Sequence, residues 1–190
     1  MLGKLEDKFP SLRSRILEPL AFEVNPDYIS FAGLLTAFAS GLLFSRDMYV
    51  VASLAILLSG YLDILDGYVA SKIGETLRGD FIDHTFDRVA DVAILTGISV
   101  SSAVSITLGF ATVVSVLLVS YLGTQAQAVT GERVYSGLMG RSDRMVVLAV
   151  TGFLMAFESR ALYAGVSLIL VLSVLTFFQR FVEIMDRLDS

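Results

Sequence analysis

Six long apolar segments, separated by short polar connections, make up most of the chain. They run approximately over residues 29–45, 48–73, 81–101, 104–130, 143–158 and 160–184. A helix needs about twenty apolar residues to cross roughly 30 Å of hydrocarbon, and these segments approach or exceed that length. The mean hydropathy of +0.73 is far above that of an ordinary soluble domain. We therefore predict an all-α, polytopic membrane protein with six transmembrane helices.

The first 28 residues differ from the rest because charged residues are mixed with apolar ones and no continuous apolar run appears. This pattern is typical of an amphipathic helix on the membrane surface rather than of a cleavable signal peptide. We predict an N-terminal amphipathic segment over residues 1–28 and one six-helix membrane domain over residues 29–190. The chain has no cysteine, which excludes disulfides and thiolate ligands. It also has no basic patch with interleaved aromatic residues, so nucleic-acid binding is not expected.

The distribution of lysine and arginine predicts the orientation, because positively charged loops stay on the cytoplasmic side. If both termini face the cytoplasm, only Arg46 and Arg160 fall on the other side. We therefore predict a multi-pass protein of the cell membrane with cytoplasmic termini. The cytoplasmic side then carries Lys4, Lys8, Arg13, Arg15, Lys72, Arg78, Arg133, Arg141, Arg144, Arg180 and Arg187.

Five aspartates lie near facing ends of the second and third segments: Asp63, Asp66, Asp83, Asp87 and Asp91. A carboxylate at membrane depth is costly unless a cation compensates it. Residues three or four apart share a helix face, so each segment presents one pair of carboxylates on one side. If the two helices are antiparallel neighbours, the pairs meet at the same depth. Facing oxygen ligands predict a site for magnesium, manganese or calcium with room for two ions.

Two other interpretations of these acids stay open at this point. Arg88 and Lys72 are close enough in sequence to neutralise two of the five carboxylates as simple ion pairs. The remaining negative charge would still need compensation, which favours a metal site. A cation or proton transporter is the alternative from another class of protein. The fourth to sixth segments offer no deep acidic residue to continue a transport path, which disfavours it.

The stretches DILDGYVA at 63–70 and GDFIDHTFD at 79–87 resemble the signature of the CDP-alcohol phosphotransferases. That family's pattern is D-x-x-D-G-x-x-A-R, eight residues, then G-x-x-x-D-x-x-x-D. The resemblance implies that Asp63, Asp66 and Asp83 bind divalent metal, Mg²⁺ or Mn²⁺. It implies that Asp87 is the general base that also touches the metal site. A lipid phosphate group would then move from a CDP-linked lipid to a polar alcohol with release of CMP, in a protein that forms a homodimer.

The chain departs from this signature at the arginine, because Ser71 follows Ala70 and only seven residues separate it from Gly79. Lys72 and Arg78 are candidates for the missing contact with nucleotide phosphate, although lysine offers one compact charge in place of a planar fork. The glycines would let the CDP group approach the helix backbone. The expected nucleotide site comprises Asp63, Asp66, Gly67, Ala70, Ser71, Lys72, Arg78 and Gly79.

Four arginines, Arg133, Arg141, Arg144 and Arg180, resemble those with which the inositol-phosphate branch of the family holds its acceptor. That branch includes the archaetidylinositol phosphate synthases, and planar guanidinium groups suit phosphate oxygens. The uncharged segment 121–127 departs from the branch, so glycerol phosphate, serine and neutral inositol stay open as acceptors. CDP-archaeol and CDP-diacylglycerol both stay open as donors.

Two further residues near the signature have secondary predictions. His84 is the single histidine and is expected outside the site, because it points about 100° away from its neighbour Asp83. Asp91 is expected to order the metal ligands or to pair with Arg88.

Overall fold

The computed structural model describes residues 25–74 and 76–189, and within these ranges it contains six α-helices and no strand. Four of the helices, α1, α2, α4 and α6, are long and apolar enough to cross a membrane. The predicted amphipathic N-terminal helix lies outside the described residues. The helices are α1 Pro26–Ser45, α2 Tyr49–Ile73, α3 Leu77–Ser99, α4 Ile106–Thr130, α5 Arg141–Leu154 and α6 Ala161–Leu188.

Side-chain caps fix the helix starts at the end of the bundle that holds the acidic signature. Asn25 accepts a hydrogen bond from the Asp27 N–H at 2.9 Å, and Pro26 occupies the first turn of α1. Thr76 accepts from the Gly79 N–H at 3.0 Å and begins α3. The cap explains why α3 begins several residues before the apolar segment that predicted it.

The fifth helix is shorter than its apolar segment. It has 14 residues, or about 21 Å at the rise of an α-helix, which is less than the thickness of the hydrocarbon core. The chain then turns over Met155 to Arg160, where the Glu158 N–H donates to the Leu154 carbonyl at 2.8 Å. α3 has 23 residues, but its many charged groups keep it out of the set of apolar helices.

Helix α1 packs against both α2 and α3, while α5 packs against α2 and α6. Gly41 and Gly97 allow the closest of these approaches, because a Cβ on either glycine would overlap the backbone of the opposite helix. Buried Phe44, Ile56 and Ile98 fill the core between the helices. This packing places the start of α1 beside the signature aspartates of α2 and α3.

Large apolar side chains cover the outside of the bundle. Leu54, Phe110 and Leu175, for example, are 55%, 67% and 46% exposed. Such a continuous apolar exterior marks a surface that contacts lipid.

Candidate active site

Four aspartates of α2 and α3 meet in one cavity, as their spacing predicts. Asp63, Asp66 and Asp83 each offer a carboxylate oxygen within 4.8 Å of the others. Asp87 lines the same cavity. Carboxylate oxygens are the ligands that hard divalent cations prefer, so these residues fit a divalent metal. The two helices therefore build the oxygen-rich site that the sequence predicts.

Helix α1 also contributes to this cavity, which the sequence analysis missed. The Ser30 hydroxyl donates to Asp66 Oδ2 at 2.5 Å. One turn further along α1, the Gly33 carbonyl accepts from the buried Ser59 hydroxyl at 2.9 Å. The first contact orients a carboxylate of the site, and the second holds α1 against α2. A serine one turn after a helix start is too common a feature to have indicated this role.

Arg141 reaches into the carboxylate site from the first turn of α5. Its Nη1 lies 2.5 Å from Asp63 Oδ1 and 2.8 Å from Asp87 Oδ1. Its Nε lies 3.9 Å from Asp91 Oδ1. The sequence predicts Arg141 in the acceptor-binding site, whereas the structure places its guanidinium between the aspartates of two helices.

Two of the other expected acceptor arginines are held by internal partners. Arg144 is 4% exposed, and its Nη2 lies 2.5 Å from Asp91 Oδ2. Arg180 is 8% exposed and donates to the carbonyls of Ser136 and Val119, both at 2.8 Å. Arg144 therefore ties α5 to α3, and Arg180 ties α6 to α4 and to the connection before α5.

Asp91 has different ion pairs from the one suggested by the sequence. It pairs with Arg144 and Arg141 of α5, whereas Arg88 lies 3.4 Å from Asp87 and donates to the His84 carbonyl at 2.7 Å. The sequence could not distinguish these pairings, because α5 is about fifty residues away along the chain.

Arg88, Arg133, Arg144 and Arg180 form a group that we call the arginine cluster. The first three lie within electrostatic range of the Arg180 guanidinium. Gly123 of α4 faces the cluster, since a Cβ there would lie 3.2 Å from Arg180 Nη1 and 3.5 Å from Arg133 Nε. The uncharged segment of α4 thus leaves room for these long side chains. A group of largely buried guanidinium groups consequently adjoins the carboxylate site.

The expected nucleotide residues lie on the exposed end of α2 and the start of α3. Among the described residues, nothing comes within 4 Å of the position that a Cβ on Gly67 would take. Lys72 Nζ lies 4.7 Å above the Tyr68 ring, and the Ser71 hydroxyl donates to the Tyr68 carbonyl at 2.8 Å. The open face of Gly67 therefore leaves the helix backbone accessible beside Asp66.

The start of α3 meets the start of α1 rather than closing over the cavity. Arg78 is 81% exposed, and its Nη2 lies 3.5 Å from Asp27 Oδ2. A Cβ on Gly79 would lie 3.2 Å from the capping hydroxyl of Thr76. Ala70 is half-buried on α2. Gly79 therefore fits its cap tightly, and the exposed guanidinium of Arg78 joins the start of α3 to the start of α1.

His84 lies closer to the site than its sequence position suggested. Its Nε2 lies 3.3 Å from Asp80 Oδ1, and its Nδ1 lies 3.8 Å from Asp83 Oδ2. With Asp83 and Asp87 it forms a second group of ligand atoms within 4.8 Å of one another. An imidazole thus borders the carboxylate site on α3.

An apolar helical bundle with clustered carboxylates and adjoining arginines fits a membrane protein that binds a divalent cation and a phosphate-containing ligand. The sequence profile of the CDP-alcohol phosphatidyltransferases matches residues 23–178, and the chain belongs to this family. It is 28% identical to the archaetidylinositol phosphate synthase of Pyrococcus horikoshii, over 100% of this chain and 99% of that one.

Solved structures of the Mycobacterium tuberculosis phosphatidylinositol phosphate synthase have the same fold. The one with CDP-DAG bound has a TM-score of 0.81 and 26% identity, and it covers 90% of this chain and 94% of its own. The one in complex with manganese and citrate has a TM-score of 0.81 and 25% identity, with coverage of 91% and 88%.

These comparisons confirm the predicted reaction class over cation transport. The protein is an integral membrane transferase of phospholipid synthesis that moves a phosphatidyl-type group from a CDP-linked lipid to a polar alcohol. It depends on a divalent metal.

Proposed function

We propose that this protein transfers the lipid phosphate group of CDP-archaeol or CDP-diacylglycerol to inositol phosphate, with release of CMP. The observation that carries the proposal is the juxtaposition of a carboxylate site and the arginine cluster at one end of the bundle. The first suits a metal-bound diphosphate, and the second suits an acceptor that brings its own phosphate. The likeness to an archaetidylinositol phosphate synthase over the whole chain supports the same acceptor.

Asp63, Asp66, Asp83 and Asp87 would hold two divalent ions, Mg²⁺ or Mn²⁺, which would supply positive charge to the diphosphate and to the departing CMP. Ser30 supports this role, because its hydroxyl holds one oxygen of Asp66 in place. The metal residues come from adjacent helices that pack tightly, so their relative positions are preorganised.

Asp87 is the residue we propose as the general base. It would accept the proton of the acceptor hydroxyl, whose oxygen forms a bond to the lipid-attached phosphorus. The bond between that phosphorus and the bridging oxygen of the diphosphate breaks, and CMP leaves with the electron pair. Asp87 suits this task because it lines the cavity between the metal residues and Arg88.

The nucleotide would lie along the accessible face of α2 at Gly67 and extend toward the start of α3. Asp63 and Asp66 would contact it through the metal ions, and Ala70 and Gly79 would leave space for it. Ser71, Lys72 and Arg78 would supply the polar contacts that the family's missing arginine provides elsewhere. Their exposure supports this assignment.

The acceptor phosphate would bind between the carboxylate site and the arginine cluster. Arg133, Arg141, Arg144 and Arg180 would hold it, and the guanidinium carbon of Arg133 lies 5.5 Å from the centroid of the Tyr135 ring. The buried partners of Arg144 and Arg180 would keep their guanidinium groups fixed while the acceptor binds.

The membrane arrangement that we propose has six spanning helices over residues 29–190 and an amphipathic segment over residues 1–28 on the membrane surface. Both termini and the active site would face the cytoplasm, where the basic connections concentrate. We further propose a homodimer. α5 would cross only part of the bilayer by itself, and the turn after it would complete the span.

The test is to offer detergent-purified protein both CDP-lipids with Mn²⁺ and, in separate reactions, inositol phosphate, glycerol phosphate, serine or inositol. We expect CMP release and a phosphorylated inositol lipid, identified by mass, with inositol phosphate. Turnover with glycerol phosphate or serine but not with inositol phosphate would overturn the proposed acceptor.

A further inference from the structure

The guanidinium of Arg141 contacts two of the carboxylates that a metal ion in this site would use. Its Nη1 contacts Oδ1 of both Asp63 and Asp87, which come from different helices. Asp63 also belongs to the three-carboxylate group with Asp66 and Asp83. Arg141 is therefore an internal cation within the carboxylate site.

The backbone of Arg141 is held in place at the start of α5. Its backbone begins α5, where Asp143 accepts from the Gly140 N–H at 3.0 Å. One turn further, Arg144 and Asp91 form a buried ion pair that ties α5 to α3. Only 18% of the Arg141 side chain is exposed, so its charge is compensated by these carboxylates rather than by water.

Mg²⁺ takes carboxylate oxygens at about 2.0–2.1 Å, and a divalent ion repels a neighbouring guanidinium. The same carboxylates cannot serve both cations at full strength. Asp91 offers Arg141 a second partner, because its Oδ1 already lies 3.9 Å from the Arg141 Nε. A short side-chain movement toward Asp91 would free Asp63 and Asp87 and keep the guanidinium paired.

We propose that Arg141 is a built-in counter-ion that competes with the divalent metal for Asp63 and Asp87. With the metal held by these carboxylates, the guanidinium of Arg141 would shift toward Asp91, where it would be available to the phosphate of the acceptor. The second part rests on the proposed function. The competition itself does not, because it concerns the metal and this chain alone.

The experiment measures Mn²⁺ affinity of the detergent-purified protein by calorimetry and by the Mn²⁺-dependent rise in Tm, without any substrate. Arg141→Gln should bind Mn²⁺ about tenfold more tightly than the unsubstituted protein, because the competitor is gone. Arg133→Gln is the matched control, since it removes an equal charge nearby that does not contact the aspartates, and its affinity should change less than about twofold. Equal or weaker Mn²⁺ binding by Arg141→Gln would overturn the proposal.

Arg141→Lys provides a second variant if the glutamine variant does not fold. Lysine keeps the charge, but its side chain is shorter and lacks the Nε that faces Asp91, so Mn²⁺ affinity should rise by a smaller factor, about threefold. An affinity at or below that of the unsubstituted protein contradicts the competition. Failure of the proposed acceptor would appear only in the product analysis, so the two proposals fail separately.

Discussion

The carboxylates at the two ends of the helix bundle have different kinds of partner. At the end where α1 connects to α2, Asp47 Oδ1 accepts hydrogen bonds from the Ser102 N–H at 2.9 Å and from the Tyr49 hydroxyl at 2.8 Å. Ser102 lies in the connection between α3 and α4, so Asp47 joins that connection to the one between α1 and α2. Asp47 thus acts as a structural link that neutral donors satisfy.

At the other end, four aspartates from two helices share a cavity, and Ser30 and Arg141 reach them from two more helices. The charge there exceeds what the neighbouring hydroxyl and guanidinium groups balance, which favours cation binding. An acidic residue at the end of the bundle is thus structural when nearby donors satisfy the hydrogen bonds of its carboxylate. Convergence of several carboxylates from separate helices indicates function instead.

The largest expected contrast between the two ends concerns catalysis. Asp87→Asn should lower CMP release by about a thousandfold, because a positioned base is lost. Asp47→Asn is the matched control, and its turnover should equal that of the unsubstituted protein. CMP release from the CDP-lipid, measured with saturating Mn²⁺, compares them. Undiminished turnover of Asp87→Asn would remove Asp87 from the mechanism.

Loss of a hydroxyl that hydrogen-bonds to a carboxylate of the metal site should weaken Mn²⁺ binding more than loss of a hydroxyl that only joins two helices. Ser30→Ala removes the hydrogen bond to Asp66 and should weaken Mn²⁺ binding about tenfold. Ser40, which is also on α1, donates a buried hydrogen bond to the Ala52 carbonyl of α2, and Ser40→Ala should leave Mn²⁺ affinity unchanged. Calorimetric titration of both variants decides between a local role for Ser30 and a general effect of α1.

Substitution by alanine at two glycines should change Tm in opposite directions. Gly67→Ala adds a methyl group on an exposed helix face, so Tm should rise, while KM for the CDP-lipid increases about fivefold because the nucleotide loses space. Gly97→Ala forces α3 away from Gly41 and should lower Tm. Thermal unfolding and initial rates measure both effects, and an unchanged KM for Gly67→Ala would move the nucleotide elsewhere.

The smallest expected effect is on Tm, at Asp47, which lies at the end of the bundle opposite the carboxylate site. The N–H of Ser102, followed by the hydroxyl of Tyr49, holds the pKa of the Asp47 carboxyl below its ordinary value of 3.8. This lowered pKa means that the stabilisation is complete above that value and is lost as the pH falls through the folded-state pKa. Asp47→Asn should therefore lower Tm by about 1 °C at neutral pH.

The control for that variant is the same comparison in acid, where the Tm difference should shrink once the carboxyl of the unsubstituted protein is protonated. A difference that persists unchanged in acid would assign the effect to something other than the charge of Asp47.

Much of the fold and the centre of the site could be predicted from the sequence. The ends of α1, α2 and α4 at Ser45, Ile73 and Thr130 coincide with the ends of the apolar segments. The early end of α5 at Leu154 could not be predicted in this way, because apolar residues continue into the turn that follows. Hydropathy indicates whether a segment lies in an apolar environment, but it does not indicate where its helix ends.

The acceptor arginines show the same limit at the level of side chains. The sequence grouped Arg141 with Arg144, yet one contacts Asp63 and Asp87 while the other pairs with Asp91. A long flexible side chain can reach any of several carboxylates, and only the rotation and depth of α5 against α2 and α3 select its partner.

The sequence by itself determined which carboxylates share a helix face, because the period of a single helix puts Asp63 with Asp66 and Asp83 with Asp87. Tertiary structure decided what completes the site. The close contact of Gly41 with Gly97 is part of the helix packing that also places Ser30 beside Asp66. The packing of α5 places the Arg141 side chain against Asp63. Helical periodicity is a local property of the chain, whereas the contacts between helices depend on how all their surfaces fit together.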